Sequence, residues 1–145
     1  MPLAIRWGAG IKKPGRVLED FISTTDLAPT FLELAGVPVP HTMAGKSQAV
    51  VWQGGSEPQR DHVLVENRHE PSTIHLHTYI EERYKLTTYR RQEYGELFDL
   101  ATDPEEVCNL WDSPAHQELK ARLLLKLVHA EMEKEPPGMP RVWGA

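Results

Sequence analysis

Cysteine occurs once in these 145 residues, at Cys108. No disulfide can form within the chain, and its redox compartment cannot be read from cysteine usage. No stretch approaches the roughly 20 consecutive apolar residues of a membrane-spanning helix. A strongly basic balance is missing too: 16 Lys and Arg are scattered among 21 Asp and Glu, for a net charge of -5. Without a clustered basic surface, nucleic acid is not an expected partner. The opening Met1-Pro2-Leu3 has neither a basic n-region nor an apolar h-region, so no export signal is expected and the compartment stays unknown. Internal repeats and low-complexity segments are also lacking. What is present, 40% hydrophobic and 26% charged residues, suits a globular chain with one core.

The most informative stretch runs from Glu81 to Leu110. Tyr84, Leu86 and Thr88 alternate with Lys85, Thr87 and Tyr89, the period-2 pattern of a strand with one buried face. A second strand follows at Tyr94-Gly95-Glu96-Leu97-Phe98-Asp99-Leu100, with Gly95 as a bend and Asp103-Pro104 as the turn that stops it. His62 to Asn67 and Ile74 to Ile80 read as two earlier strands, and four strands with short links favour antiparallel pairing.

Residues 2–7 read as a short apolar strand, followed by a loop holding Gly8, Gly10, Pro14 and Gly15. From Ser23 to Gly36 the pattern is helical, with Leu27, Phe31, Leu34 and Ala35 on one face, a cap from Ser23, Thr24 or Thr25, and Gly36 then Pro38 as terminators. Val37 to Gly55 reads as irregular. The last element opens at Ser113-Pro114, carries Leu119, Leu123, Leu127 and Ala130 in one stripe widened by Leu124 and Val128, and ends at Glu135-Pro136-Pro137. It is expected to cover the sheet, with Lys120, Arg122, Lys126, Glu131, Glu133 and Lys134 as its solvated face. The tail to Ala145 reads as extended and anchored by Trp143.

The order Arg83-Tyr84-Lys85-Leu86, Gly95-Glu96-Leu97-Phe98-Asp99-Leu100, Asp103-Pro104-Glu105 and Asn109-Leu110 resembles the C-terminal part of the sulfatases. These are formylglycine-dependent sulfuric ester hydrolases of the alkaline-phosphatase-like superfamily. Pro2 to Trp7, Ser23 to Thr30 and Met43-Ala44-Gly45-Lys46-Ser47 resemble segments that come earlier in the same proteins. The resemblance implies an α+β fold: an antiparallel sheet of about four strands under a C-terminal helix, preceded by a strand-helix remnant of the larger α/β sulfatase domain. The implied boundary divides residues 1–56, the remnant, from 57–145, the C-terminal subdomain. It also implies that the family's formylglycine, its calcium-binding Asp and Asn residues and its active-site Lys all lie upstream, so no catalytic residue and no metal ligand carries over. Calcium and formylglycine are then expected only in the full-length family, and this chain is expected to be inactive alone. The family is commonly exported.

Ser56-Glu57-Pro58-Gln59-Arg60 matches the letters of the family's Cys/Ser-x-Pro-x-Arg modification motif. It follows Gly54-Gly55 and runs into a strand instead of opening a helix, Gln59 stands where Ser is usual, and the trailing Leu-x-Thr-Gly is absent. Cys108 lacks the Pro and Arg altogether and reads as a small half-buried residue. Asp61-His62 mimics a metal-binding pair in letters only.

The remaining polar concentration is Glu66, Asn67, Arg68, His69 and Glu70, then His75 and His77. Alternation puts His75, His77 and Tyr79 on one strand face. Bacterial sulfatases similar to this chain carry Glu-x-Arg-His-Glu and Thr-Ile-His-Leu-Arg-Thr here, bordering the active-site mouth. The resemblance therefore implies substrate contact from Arg68, His69, His75 and His77, the last standing where Arg is usual and lacking its fixed charge at neutral pH. Read from residues alone, the same histidines also suit a solvent-facing strand, or a zinc site completed by His69 or Glu66. His41, His62, His116 and His129 are isolated. Three functions follow: the C-terminal portion of a sulfatase acting on a sulfated small molecule or glycan, a free-standing binding module, and an independent zinc protein using His75 and His77. The expected partners are the missing catalytic domain or a second copy of the chain.

Overall fold

The computed structural model describes residues 3–8, 10–69 and 74–134. Pro2, Glu70, the Glu135-Pro136-Pro137 terminator and Trp143 lie outside the described residues, as does the side chain of His69. Two compact units divide the chain, the first running to Arg60 and the second starting at Asp61.

The first unit is built on short helices. Ser23 caps a 3-10 turn, Thr24–Asp26, in a reciprocal capping box: the Ser23 side chain accepts from the Thr25 amide, and the Asp26 carboxylate accepts from the Ser23 amide at 2.9 Å. Helix α1, Leu27–Leu34, continues from it. It stops at Gly36, whose φ of +70° is the left-handed conformation that glycine adopts without strain. The Gly36 and Val37 amides donate to Glu33 and Leu32 carbonyls, closing the helix end. The buried residues of α1 are Pro29 and Thr30, whereas Phe31 is 58% exposed and packs edge-on with the Trp52 ring. The helix thus buries Pro29 and Thr30 and leaves Phe31, on its apolar face, largely in solvent. Its Thr30 hydroxyl, between the Asp26 carbonyl and the Gln48 amide at 2.9 Å, decides the orientation. A second helix missed from the sequence, α2, Ala49–Trp52, is too short to show a period. Residues 3–7 have no regular structure and pair with no strand among the described residues, correcting the strand expected there: a buried strand needs neighbours to satisfy its backbone groups.

Asp26 organises this unit. It is fully buried, and its carboxylate accepts from the Ser23 amide, the Lys46 amide at 2.7 Å and the Arg60 guanidinium at 2.7 and 2.5 Å. Burial alone disfavours its charge, but the Arg60, Ser23 and Lys46 donors outweigh that and hold its pKa below the ordinary aspartate range. Gly45 lies so close to the Thr25 carbonyl that a Cβ would collide with it, so the Met43–Ser47 turn brings its amide to Asp26 only with glycine there. Arg16 donates to the Val51 and Gly55 carbonyls, closing α2.

The second unit is a four-stranded antiparallel sheet in sequential order, β1 His62–His69, β2 Ile74–Glu81, β3 Tyr84–Tyr89 and β4 Gly95–Asp99. Register places Leu64, Tyr79, Leu86 and Leu97 in one cross-strand row. Helix α3, Gln117–Glu133, reached through the 3-10 turn Pro114–His116, lays Leu123, Leu127 and Ala130 on that row. Trp111 completes the core. Leu119 and Leu124 border it, while Val128 is 52% exposed and does not widen the stripe. Gly95 is not the hairpin bend, which uses Arg91 at φ +60°; it is the buried first residue of β4, against which the Trp111 ring packs too closely for any Cβ. Beyond β4, the Asp103 carboxylate accepts from the Val107 and Cys108 amides, and Cys108 itself is exposed, not half-buried.

Candidate functional site

The cross-strand row next to the core is polar. Register sets Glu66 opposite His77 and Arg68 opposite His75, and strand alternation puts these residues on the same face as Leu64 and Tyr79. This is the face that α3 covers. The helical stripe Leu123, Leu127, Ala130 continues at helical spacing to Glu131 and Lys134, which bring charge over the polar row. The helix charges are therefore not a uniformly solvated face. Lys126 bonds Glu81 at 2.5 Å, and Lys120 reaches the Trp111 carbonyl at 2.8 Å.

His77 is the hub. Its Nδ1 lies 2.7 Å from Glu131 Oε1, and its Nε2 lies 3.2 Å from His75 Nε2. Lys134 bonds to both Glu66 and Glu131. Arg68, two-thirds exposed, approaches Glu66 at 3.6 Å. The hydrogen bond from Lys134 holds the Glu66 carboxyl below the usual range. Desolvation, then the Arg68, His77 and Arg90 charges, lower the His75 pKa from its ordinary value. Burial alone would lower Lys134, but its bonds to Glu131 and Glu66 raise it.

Three of the four residues named from the sequence, Arg68, His75 and His77, thus lie in one patch. For His69 only the backbone is described, opposite Ile74 in the register. Sequence reasoning missed Glu131 and Lys134, although extending the apolar stripe by one turn points to both. Beside the patch, a cleft of about 440 Å³ is lined by Asp61, His62, Tyr79, Glu81, Lys126 and His129. His62 Nδ1 sits 2.7 Å from Asp61 Oδ1 and its ring stacks on Tyr79. Burial, then the Glu81 and Asp61 charges, push the Tyr79 hydroxyl up to about 12, so at neutral pH it is a hydrogen-bond donor and not a base.

Ser56 is exposed in an irregular stretch, not at a helix start, and the Arg60 guanidinium is engaged by Asp26. Calcium takes six to eight oxygen ligands. Among the described residues the one grouping with ligand atoms close together is Glu66, His77 and Glu131, within 4.8 Å, and it includes an imidazole.

The family model described as N-sulphoglucosamine sulphohydrolase, C-terminal, matches residues 1–133. The chain belongs to this sulfatase family. As a sulfatase C-terminal domain it is 32% identical over 119 residues to the Delta 4,5-hexuronate-2-O-sulfatase of Bacteroides thetaiotaomicron, covering 79% of this chain and 25% of that protein. It is 31% identical over 115 residues to Arylsulfatase K of Homo sapiens, covering 71% of this chain and 21% of that protein. The domain superposes on a solved 2-O GAG sulfatase with a TM-score of 0.62 at 32% identity, over 73% of this chain and 24% of that one. A phosphonate monoester hydrolase from Silicibacter pomeroyi superposes with a TM-score of 0.77 at 23% identity, over 88% of this chain and 28% of that one, a likeness of fold. The chain spans about a quarter of the length of the curated sulfatase it matches in Bacteroides thetaiotaomicron.

Proposed function

We propose that this sulfatase C-terminal domain supplies substrate-facing and supporting surface to a sulfatase active site whose sulfur-attacking groups belong to the part of its relatives that it does not span. The match of residues 1–133 to a C-terminal family model carries this reading. Residues up to Ser56 act in it as a remnant of the larger α/β domain, and the sheet with α3 forms the C-terminal subdomain. Arg68, His75 and His77, with His69 following Arg68 in β1, form the substrate-facing wall, where Arg68 offers the fixed positive charge that a sulfate group needs. The relatives' names point to sulfated glycans as the substrate class. Formylglycine and calcium enter only with the part of the relatives that this chain does not span.

Two measurements test the proposal on the chain as it stands. Incubated with an aryl sulfate, with or without calcium, it gives no turnover; hydrolysis above that of a Ser56→Ala control would defeat the reading. Titrated with a sulfated disaccharide, it shows amide shift changes at 66–68 and 75–77 that Arg68→Ala removes. Shifts confined to other residues would reject the wall.

A further inference from the structure

The sulfatase reading leaves one arrangement in the polar row unused. The His75 and His77 imidazoles turn their Nε2 atoms toward each other at 3.2 Å. As a hydrogen bond this requires one ring to carry its proton on Nε2 and the other to leave that atom bare. A tetrahedral zinc ion with two histidine nitrogens at about 2.0–2.1 Å separates them by about 3.3 Å, close to the spacing found. His77 is further set for this role by Glu131, 2.7 Å from its Nδ1. A carboxylate there keeps the proton on Nδ1 and leaves the Nε2 lone pair free, as outer carboxylates do for metal-bound histidines. Glu66, opposite His77 across the β1–β2 ladder, brings an anionic oxygen within 4.8 Å of the His77 and Glu131 ligand atoms; His75 is not in that grouping, so Glu66 meets the two Nε2 atoms only by turning away from Lys134.

We propose that His75, His77 and Glu66 bind a divalent ion of the zinc class, with Glu131 orienting His77 and one coordination position left open. Two imidazoles and a carboxylate make a donor set suited to zinc and unsuited to calcium. Lys134 now bonds both carboxylates, so its ammonium stands where a cation is wanted. Metal entry releases Glu66 from it. Arg68, opposite His75, adds a second opposing charge. His77 retains 24% of its side-chain exposure, which leaves a path for the ion. This site stands or falls independently of the sulfatase reading, because it needs no other part of an enzyme.

The experiment uses the full chain, stripped with a chelator and titrated with zinc chloride by calorimetry, then with cobalt(II), whose visible spectrum reports tetrahedral coordination. One ion per chain binds. His75→Ala, lying off the helix-packed core, abolishes binding without changing the metal-free melting curve. Glu131→Gln weakens it about 10–100-fold, the usual cost of losing an outer partner. Lys134→Met strengthens it, a gain that structural damage cannot produce. No stoichiometric binding, an affinity unchanged by His75→Ala, or an affinity lowered by Lys134→Met would overturn the proposal.

Discussion

The two units hold together by different physics. In the second, Leu86, Leu97 and Leu123 are completely buried and a single helix closes one sheet face, so hydrophobic burial dominates. In the first, the most buried groups include the Asp26 carboxylate and the Thr30 hydroxyl, while Val17, Leu18, Ile22, Phe31 and Val37 are exposed. A polar knot joins segments around residues 23, 46 and 60, and Ala49, Val51 and Trp52 add a small buried apolar group. Buried polar bonds carry more of the geometry in the first unit, and apolar packing carries more in the second.

The strongest challenge to that contrast is Asp26→Asn, which strands the nearly buried Arg60; breaking such a pair costs about 3–5 kcal/mol. Hydrogen exchange should then accelerate across 23–60 while β1–β4 stay protected. The same group sets a pH dependence. Its folded pKa is lowered, so the stability it contributes is present above the unfolded aspartate value and disappears as pH falls through the folded one. Acid titration followed by exchange should open the first unit in wild type, and Asp26→Asn should remove that dependence. Next in size, Leu123→Ala opens a cavity under the sheet and should cost about 2–5 kcal/mol in urea unfolding, with its effect in the second unit. Gly95→Ala pushes a methyl into Trp111 and should lower the melting temperature by the equivalent of about 1–3 kcal/mol. Smallest, Phe31→Ser, at a solvent-facing position, should change stability by about 0.5 kcal/mol or less. A large loss there would mean that Phe31 is more than a surface residue and would blur the contrast.

The same division governs what could be read from the sequence. Period-2 alternation marks β3 and the two faces of β2, and the α3 stripe is clear, because burial of one face leaves a periodic trace. The first unit leaves less of one. In α1, Leu27, Phe31 and Leu34 suggest an inward face, yet the helix is seated by a threonine and an aspartate that any surface helix also carries. The Asp26–Arg60 pair spans 34 positions, and no local pattern links such residues. At the candidate site, Arg68, His75 and His77 stand out by composition. Glu131 and Lys134 look like ordinary helix-surface charges until the sheet beneath them is known.

Asn109 has a consequence for how this sheet meets other chains. Its side chain accepts from the Leu97 amide and donates to the Gly95 carbonyl, and the Leu110 amide donates to the Leu97 carbonyl. One amide side chain and a short return of backbone thus imitate a fifth strand along the outer margin of β4. A foreign strand arriving there finds its docking groups already taken, and growth of the sheet into an aggregate is blocked on that flank.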